Sequence, residues 1–185
     1  MNRVVAALIL VAAPVAVSAQ APAPPGDPLT AALRRHYEGV SRNAREAAEK
    51  MPEDKYGYQP SKDVRTFAQL IGHVADYQFI SCSQAKGETN PNTNAFEKVS
   101  AKAALVKAIT DGIAYCTSVW AGANDRWLLE ATAGARGPGQ PRGAVLAFNS
   151  SHTNEHYGNI VTYLRLNNLV PPSTERFQQP AAPVK

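Results

Sequence analysis

The chain lacks the features that mark several large classes of protein. It has only two cysteines in 185 residues, so it is not a disulfide-rich scaffold. No apolar run reaches the roughly 18 residues of a transmembrane helix, and no long alternation of apolar and polar residues indicates β-strands. The net charge of +4 comes from scattered basic residues, which argues against binding to nucleic acid or membranes.

The amino terminus has the pattern of a secretory signal peptide. Arg3 gives a positive start, residues 4–15 form an apolar core too short to span a membrane, and residues 17–19 form a small-residue cleavage site. Cleavage after Ala19 would leave about 166 residues, enough for one domain. We therefore expect residues 1–19 to be removed and the mature protein to be soluble and periplasmic or secreted.

Apolar residues recur at helical spacing in four segments, and each segment has one apolar stripe. A helix of 20 residues is roughly 30 Å long, so four such helices can share one core. The sequence therefore predicts an all-α fold, a four-helix bundle over residues 27–173. The lead-in at 20–26 and the tail at 174–185 are rich in proline and are expected to be disordered. The four predicted helices lie at about 29–50, 66–85, 100–120 and 144–167.

Three of the four histidines are spaced so that they could share one metal ion. His152 and His156 are four residues apart, and on a helix such residues lie one above the other on the same face. That face carries the apolar stripe of the fourth helix, where an unpaired imidazole would be costly to bury. His73 lies near the apolar stripe of the second helix. Three histidines with an open fourth position are typical of a catalytic metal site.

The fourth helix also fits a second pattern. His152, Glu155 and His156 match the inverted zincin motif, in which the glutamate is the general base of a metallopeptidase. Such enzymes need a further carboxylate ligand well downstream, and the carboxylate of Glu175 lies in the expected tail. The zincin interpretation is therefore disfavoured.

Other polar residues near the histidines keep two roles open. Asp76 follows His73 by about one turn, so it could orient a ligand or act as a base, or it could be an exposed polar residue. Glu155 has the same ambiguity. His36 is expected on the solvated surface, with a pocket or fourth-ligand role as the alternative. Cys82 and Cys116 could form a disulfide in an oxidising compartment or remain two buried thiols.

Three motifs of the chain resemble those of the DinB/YfiT-like superfamily. They are Gly-His-Val-Ala-Asp at 72–76, His-x-x-x-His-Tyr-Gly at 152–158, and the segment from Tyr163 to Pro172. The resemblance spans about residues 29–173 and implies a four-helix bundle with up-down-down-up topology. It also implies a divalent metal, zinc or nickel, bound by His73, His152 and His156.

The resemblance gives two expectations about function. Known enzymes of the superfamily are thiol-dependent transferases or isomerases, whereas many members have no known activity. Because those thiols are cytoplasmic, export weakens the transferase interpretation. If the protein is an enzyme, we expect a metal-dependent hydrolase or a thiol or group transferase that acts on a small-molecule substrate, with Asp76 and Glu155 as candidate catalytic residues. The alternative is a non-catalytic metal-binding or structural bundle, and a homodimer is compatible with either.

The implied topology bears on the cysteines. With up-down-down-up connections the second and third helices run in parallel, so Cys82 and Cys116 lie at the same end of the bundle. In a simple hairpin they would lie at opposite ends, beyond the Cα separation of about 4.4–6.8 Å that a disulfide requires. We therefore expect a disulfide between Cys82 and Cys116.

Overall fold

The computed structural model describes residues 26–133 and 139–178 of the chain. The four predicted helices are present, joined by short 3₁₀ turns and two further short helices, so the prediction of an all-α bundle is confirmed. No helix in the described ranges is long and apolar enough to cross a membrane. In chain order the helices are α1 (Pro28–Lys50), α2 (Phe67–Lys86), α3 (Lys102–Ala121), α4 (Asp125–Leu129), α5 (Arg142–Leu166) and α6 (Pro172–Gln178).

Helices α2 and α3 run in the same direction. Gly112 of α3 lies against Gln78 of α2, and four residues further along, Cys116 lies beside Cys82. Residue numbers therefore rise together along the pair. Parallel neighbours need a connection that returns along the bundle, and the loop between Lys86 and α3 provides it.

Helices α1 and α5 run against this pair. Lys102 at the start of α3 donates to the carbonyl of Glu49 near the end of α1, and Trp120 near the end of α3 packs on Tyr37 with ring centroids 6.0 Å apart. The contacts of α5 with α2 also run in opposite order, as an up-down-down-up connection requires, through the pairs Tyr163–Phe67 and Asn149–Gln78.

The apolar core has two parts, one toward each end of α2. Burying a large apolar side chain contributes about 1.5–3 kcal/mol, so both parts stabilise the bundle strongly. The part that we call the larger core surrounds the middle and start of α2 and includes Met51, Tyr56, Phe67, Ile71, Leu105, Ile160 and Leu164. The part that we call the smaller core lies at the other end and includes Tyr37, Cys82, Cys116, Trp120, Leu128 and Leu146.

The carboxyl-terminal segment differs from the expectation of a disordered tail beginning at residue 174. Helix α6 continues to Gln178 because two of its side chains form ion pairs with α1, Glu175 with Lys50 and Arg176 with Glu46. The remainder of the tail, the signal segment and residues 20–25 of the lead-in lie outside the described residues.

Candidate metal centre

Two long helices position the three histidines. Helix α2 begins with a capping box, in which Thr66 Oγ1 accepts from the backbone of Gln69 and the Gln69 side chain accepts from the backbone of Thr66. This cap fixes the start of α2 and so the turn that carries His73. His152 and His156 lie one turn apart in the middle of α5, on the face toward α2. The ligand candidates thus sit on rigid elements.

The three imidazoles converge on one another through the same ring atom. Nε2 of His152 lies 3.1 Å from Nε2 of His73 and 3.1 Å from Nε2 of His156. Three nitrogens bound tetrahedrally to one zinc ion at 2.0–2.1 Å would be about 3.3 Å apart. These two separations fit a shared cation. All three ligand atoms lie within 4.8 Å of one another, so the three histidines form a group that could hold a metal ion.

Hydrogen bonding among the histidines does not explain this geometry. Nε2 of a neutral imidazole either donates one hydrogen bond or accepts one. Nε2 of His152 therefore cannot form hydrogen bonds with both neighbouring histidines at once. The donor set fits a divalent metal better than a self-contained polar cluster, and neutral imidazole is the form that binds one.

The surroundings keep these imidazoles neutral. Burial, and then the neighbouring His156 and His73, lower the pKa of His152 to about 4. Burial, and then the charge of His73, lower the pKa of His156. Since imidazole must lose its proton to act as a ligand, both shifts favour metal binding at neutral pH.

Glu97 is a functional residue that the sequence interpretation missed. Its carboxylate contacts His73 Nδ1 at 3.1 Å and accepts from Arg65 Nε at 2.7 Å. Burial alone would raise the pKa of Glu97, but the hydrogen bonds from Arg65 and His73 outweigh it and leave the pKa lowered. An ionised carboxylate on Nδ1 holds the hydrogen there and leaves Nε2 free to bind a metal.

Two residues that flank His73 hold the segment bearing Glu97. A Cβ on Gly72 would lie 2.3 Å from the carbonyl oxygen of Phe96, so only glycine permits this approach. Asp76 accepts from the backbone N–H groups of Phe96 at 3.2 Å and of Glu97 at 3.3 Å. The Gly-x-x-x-Asp spacing around His73 thus docks the 3₁₀ turn Phe96–Lys98 against α2. No sequence signal pointed to Glu97, because it is 24 residues from His73 and lies in a loop.

The other candidates lie away from the histidines or act indirectly. Asp76, a candidate base, is committed to the turn that carries Glu97. Glu155 is exposed on α5, while the histidines beside it are buried. His36 is exposed on α1, in a surface groove that also contains Arg35, Arg42 and Arg176. The structure thus brings together the three histidines and leaves His36 and Glu155 outside the cluster.

Aromatic side chains form one wall of the site. Tyr77 stacks on His152 with ring centroids 4.0 Å apart, and Phe148 lies 5.7 Å from the same ring. Phe148 does not belong to the core of the bundle, because its side chain is 54% exposed. Phe148 therefore lies between the ring of His152 and the solvent-exposed surface of α5.

A cavity of about 290 Å³ forms the other side of the site. His156 is one wall, and the remaining lining comes from the segment before α2, from Leu70 of α2 and from the carboxyl-terminal part of α5. A larger cavity, about 540 Å³, lies between α1 and α3, but neither histidine nor cysteine lines it. The smaller cavity is therefore the one joined to the candidate metal centre, and its lining is Asp63, Val64, Arg65, Leu70, Asn159 and Tyr163 with His156.

The two cysteines lie at disulfide distance in the smaller core. The Cα atoms of Cys82 and Cys116 are 5.3 Å apart, inside the range that a disulfide needs. The Asn149 side-chain amide faces both sulfurs, at 3.8 Å from Cys82 and 3.5 Å from Cys116. The parallel arrangement of α2 and α3 accounts for this proximity.

Solved structures with similar folds agree with the architecture. A DinB-like protein from Bacillus cereus matches with a TM-score of 0.65 at 12% identity, covering 76% of this chain and 93% of that one. A DinB-like protein from Bacillus subtilis matches with a TM-score of 0.59 at 16% identity, covering 74% and 92%. A mycothiol-dependent maleylpyruvate isomerase matches with a TM-score of 0.57 at 16% identity, covering 71% and 60%.

The sequence matches a protein family, although no curated protein shows significant similarity to the chain. The model of the DinB superfamily matches residues 36–160, more than half of the chain, and this range includes all three clustered histidines. The chain therefore belongs to the DinB superfamily.

Proposed function

We propose that the protein binds one divalent metal ion, zinc or nickel, through Nε2 of His73, His152 and His156. The single observation that carries this proposal is the cluster of three ring nitrogens, in which Nε2 of His152 lies 3.1 Å from Nε2 of both other histidines and all three ligand atoms lie within 4.8 Å of one another. The Glu97 carboxylate on His73 Nδ1 supports it, because ligating histidines usually donate their other N–H to a carboxylate or carbonyl.

The site also supports a catalytic role, a metal-dependent hydrolase or a thiol or group transferase. Three protein ligands leave a coordination position for water or substrate, and the cavity beside His156 gives space for a small molecule. A metal bound there would lower the pKa of a bound water or thiol and polarise a substrate. The fold shared with a mycothiol-dependent isomerase keeps a thiol among the candidate reactants, whereas export would separate the protein from cytoplasmic thiols. A non-catalytic metal-binding bundle is the alternative.

Metal analysis of protein purified without an affinity tag tests the proposal. We expect about one equivalent of metal per chain, and we expect His73→Ala, His152→Ala and His156→Ala each to abolish stoichiometric binding. The matched control is His36→Ala, which removes the exposed histidine and should bind metal as the unchanged protein does. Full metal content after any of the three cluster substitutions would refute the ligand set.

A thiol titration of the cobalt-substituted protein separates the catalytic classes. Thiolate binding to Co²⁺ adds a charge-transfer band in the near ultraviolet, whereas water binding does not. Appearance of this band with a low-molecular-weight thiol would support the thiol-dependent class. A spectrum that no thiol changes would favour hydrolysis or the non-catalytic alternative.

We also propose that the protein is exported after cleavage near Ala19. The charged start, short apolar core and small-residue cleavage site support this. Amino-terminal sequencing of the protein from the extracytoplasmic fraction tests it. A mature chain that begins at Met1 would overturn it.

A further inference from the structure

We propose that the cavity beside His156 binds a small anionic ligand, a carboxylate with an apolar body, with Arg65 as the residue that recognises its charge. This inference rests on the proposed metal site and adds the class of molecule that the site takes. The observations that carry it are the position of Arg65, the charge balance and the cavity lining.

Arg65 is held in place from two sides. Its carbonyl oxygen accepts a hydrogen bond from the Tyr163 hydroxyl at 2.6 Å, which ties it to α5. Its Nε donates to Glu97 at 2.7 Å, which fixes the plane of the guanidinium group. An arginine held in this way loses little conformational freedom when it binds a ligand.

The terminal nitrogens of Arg65 remain available for a ligand. The guanidinium group has five N–H donors, and the hydrogen bond to Glu97 uses only the one on Nε. Within residues 26–133 and 139–178, Nη1 and Nη2 form no hydrogen bond. A carboxylate can accept from such nitrogens in parallel, a geometry in which arginine surpasses lysine.

The charges around the cavity favour an anion once a metal is bound. The ion pair of Arg65 with Glu97 is neutral as a unit, and neutral histidines add no charge. Asp63 also lines the cavity, but it is mostly exposed and lies 3.7 Å from Lys62. A divalent cation would therefore leave the site with a net positive charge, and a cleft with charge of one sign concentrates ligands of the opposite sign.

The remainder of the lining suits an apolar body. Val64 and Leu70 contribute aliphatic surface, and Tyr163 contributes a ring with its hydroxyl turned toward the Arg65 carbonyl. Asn159 is the polar side chain on α5. A volume of about 290 Å³ is at the lower end for small-molecule sites, so a single ring with one carboxylate is a suitable probe.

The test uses the full chain loaded with Co²⁺ and two matched probes, benzoate and its neutral counterpart benzamide. Each is titrated while the visible spectrum of Co²⁺ and the heat of binding are recorded. We expect benzoate to bind and to change the spectrum, and we expect benzamide to bind at least about 10-fold more weakly, because a charge-assisted hydrogen bond exceeds a neutral one by roughly that factor.

Variants assign the effect to the cavity. Arg65→Gln should weaken benzoate binding by about 10-fold or more and leave benzamide unchanged. Arg42→Gln, an exposed arginine on α1, is the matched control and should behave as the unchanged protein does. Because Arg65 also contacts Glu97, Co²⁺ content is measured in every sample. Asn159→Asp keeps the Arg65–Glu97 pair, places a negative charge on the cavity wall and should also weaken benzoate selectively.

The outcomes separate this proposal from the metal site. Stoichiometric Co²⁺ with equal binding of benzoate and benzamide would overturn the anion proposal and leave the metal site standing. Benzoate binding that neither Arg65→Gln nor Asn159→Asp weakens would place the ligand elsewhere and also overturn it. Failure of the unchanged protein to bind Co²⁺ would overturn both.

Discussion

The two ends of helix α2 are joined to different neighbours by different chemistry. At the histidine cluster, α2 meets α5 through polar rings, of which His152 and His156 are buried and His73 is half-buried. At the cysteine pair, roughly 14 Å further along, α2 meets α3 through two side chains with no exposed surface. The histidine end adjoins a cavity of about 290 Å³, whereas the side chains of the cysteine end are closed off from solvent. The difference indicates that the smaller core fixes the scaffold on which the histidine site is built.

A buried polar network lies between these two ends. Gln78 accepts from the Tyr37 hydroxyl at 3.1 Å and from the Asn149 amide at 3.1 Å, and it donates to Thr153 at 2.9 Å. These bonds join α1, α2 and α5 one turn from His152. Because a buried polar group is costly unless it is paired, the network admits one register of the helices. That register brings the histidines together.

The largest effect is expected from removing the cysteine pair. The double substitution Cys82→Ala with Cys116→Ala should lower the free energy of unfolding by about 4 kcal/mol, the chain-entropy value for a loop of 34 residues. Metal affinity should change little, because the histidines belong to the other end. Denaturant titration and calorimetric metal titration measure the two quantities.

The unchanged protein under reducing conditions is the control for this pair. It should lose about the same stability as the double variant. Two free thiols, found by labelling the denatured and unreduced protein, would show that no disulfide forms. Equal stability of the variant and the unchanged protein would also contradict the prediction.

The next largest effect on stability is expected from replacing Gly72, the glycine that precedes His73. Gly72→Ala should lower stability by about 1–3 kcal/mol, the usual cost of overpacking, because the added Cβ would meet backbone atoms of Phe96. It should also weaken metal binding, since the turn that carries Glu97 must move. The matched control is Gly158→Ala, where a Cβ meets nothing within 4 Å, and that change should stabilise α5 by about 1 kcal/mol. Equal effects of the two substitutions on metal affinity would contradict the docking role of Gly72.

Most of the fold could be predicted from the sequence, because helical periodicity is a local property. Four stripes predicted four helices, and the four-residue spacing of His152 and His156 placed both on one face of α5. The role of Glu97 could not be predicted in this way, since it depends on a loop held by Gly72 and Asp76. Both residues stood in the motif that carried the resemblance, but their contacts with the turn are tertiary. For the same reason helix α6 was missed, because ion pairs with α1 hold it.

A smaller effect, on metal affinity, is expected from replacing Glu97, whose carboxylate contacts His73 Nδ1. Glu97→Gln should lower metal affinity by about 10- to 100-fold, because the amide no longer stabilises the hydrogen on His73 Nδ1 with a full charge. Stability of the metal-free protein should change little. The control is Glu155→Gln, which removes an exposed carboxylate from α5 and should leave the affinity unchanged. If Glu155→Gln lowered the metal affinity more than Glu97→Gln does, the result would contradict the role of Glu97 and indicate Glu155 as the functional carboxylate.

The smallest effect is expected from removing one hydrogen bond of the Gln78 network, which lies between the two ends of α2. Tyr37→Phe removes the hydroxyl that donates to Gln78 and leaves the ring packed against Trp120. We expect a loss of about 1 kcal/mol in the free energy of unfolding, the usual net worth of one hydrogen bond. The control is Tyr58→Phe, because the Tyr58 hydroxyl forms no hydrogen bond within the described ranges and its removal should be nearly neutral.

Metal affinity gives Tyr37→Phe a second measurement. Gln78 keeps its bonds to Asn149 and Thr153 in this variant, so α2 and α5 should stay in register and the affinity should remain within about 3-fold. A loss of affinity as large as that of Glu97→Gln would mean that the network transmits its effect to the histidines. In that case the scaffold end and the binding end of α2 would be one cooperative unit.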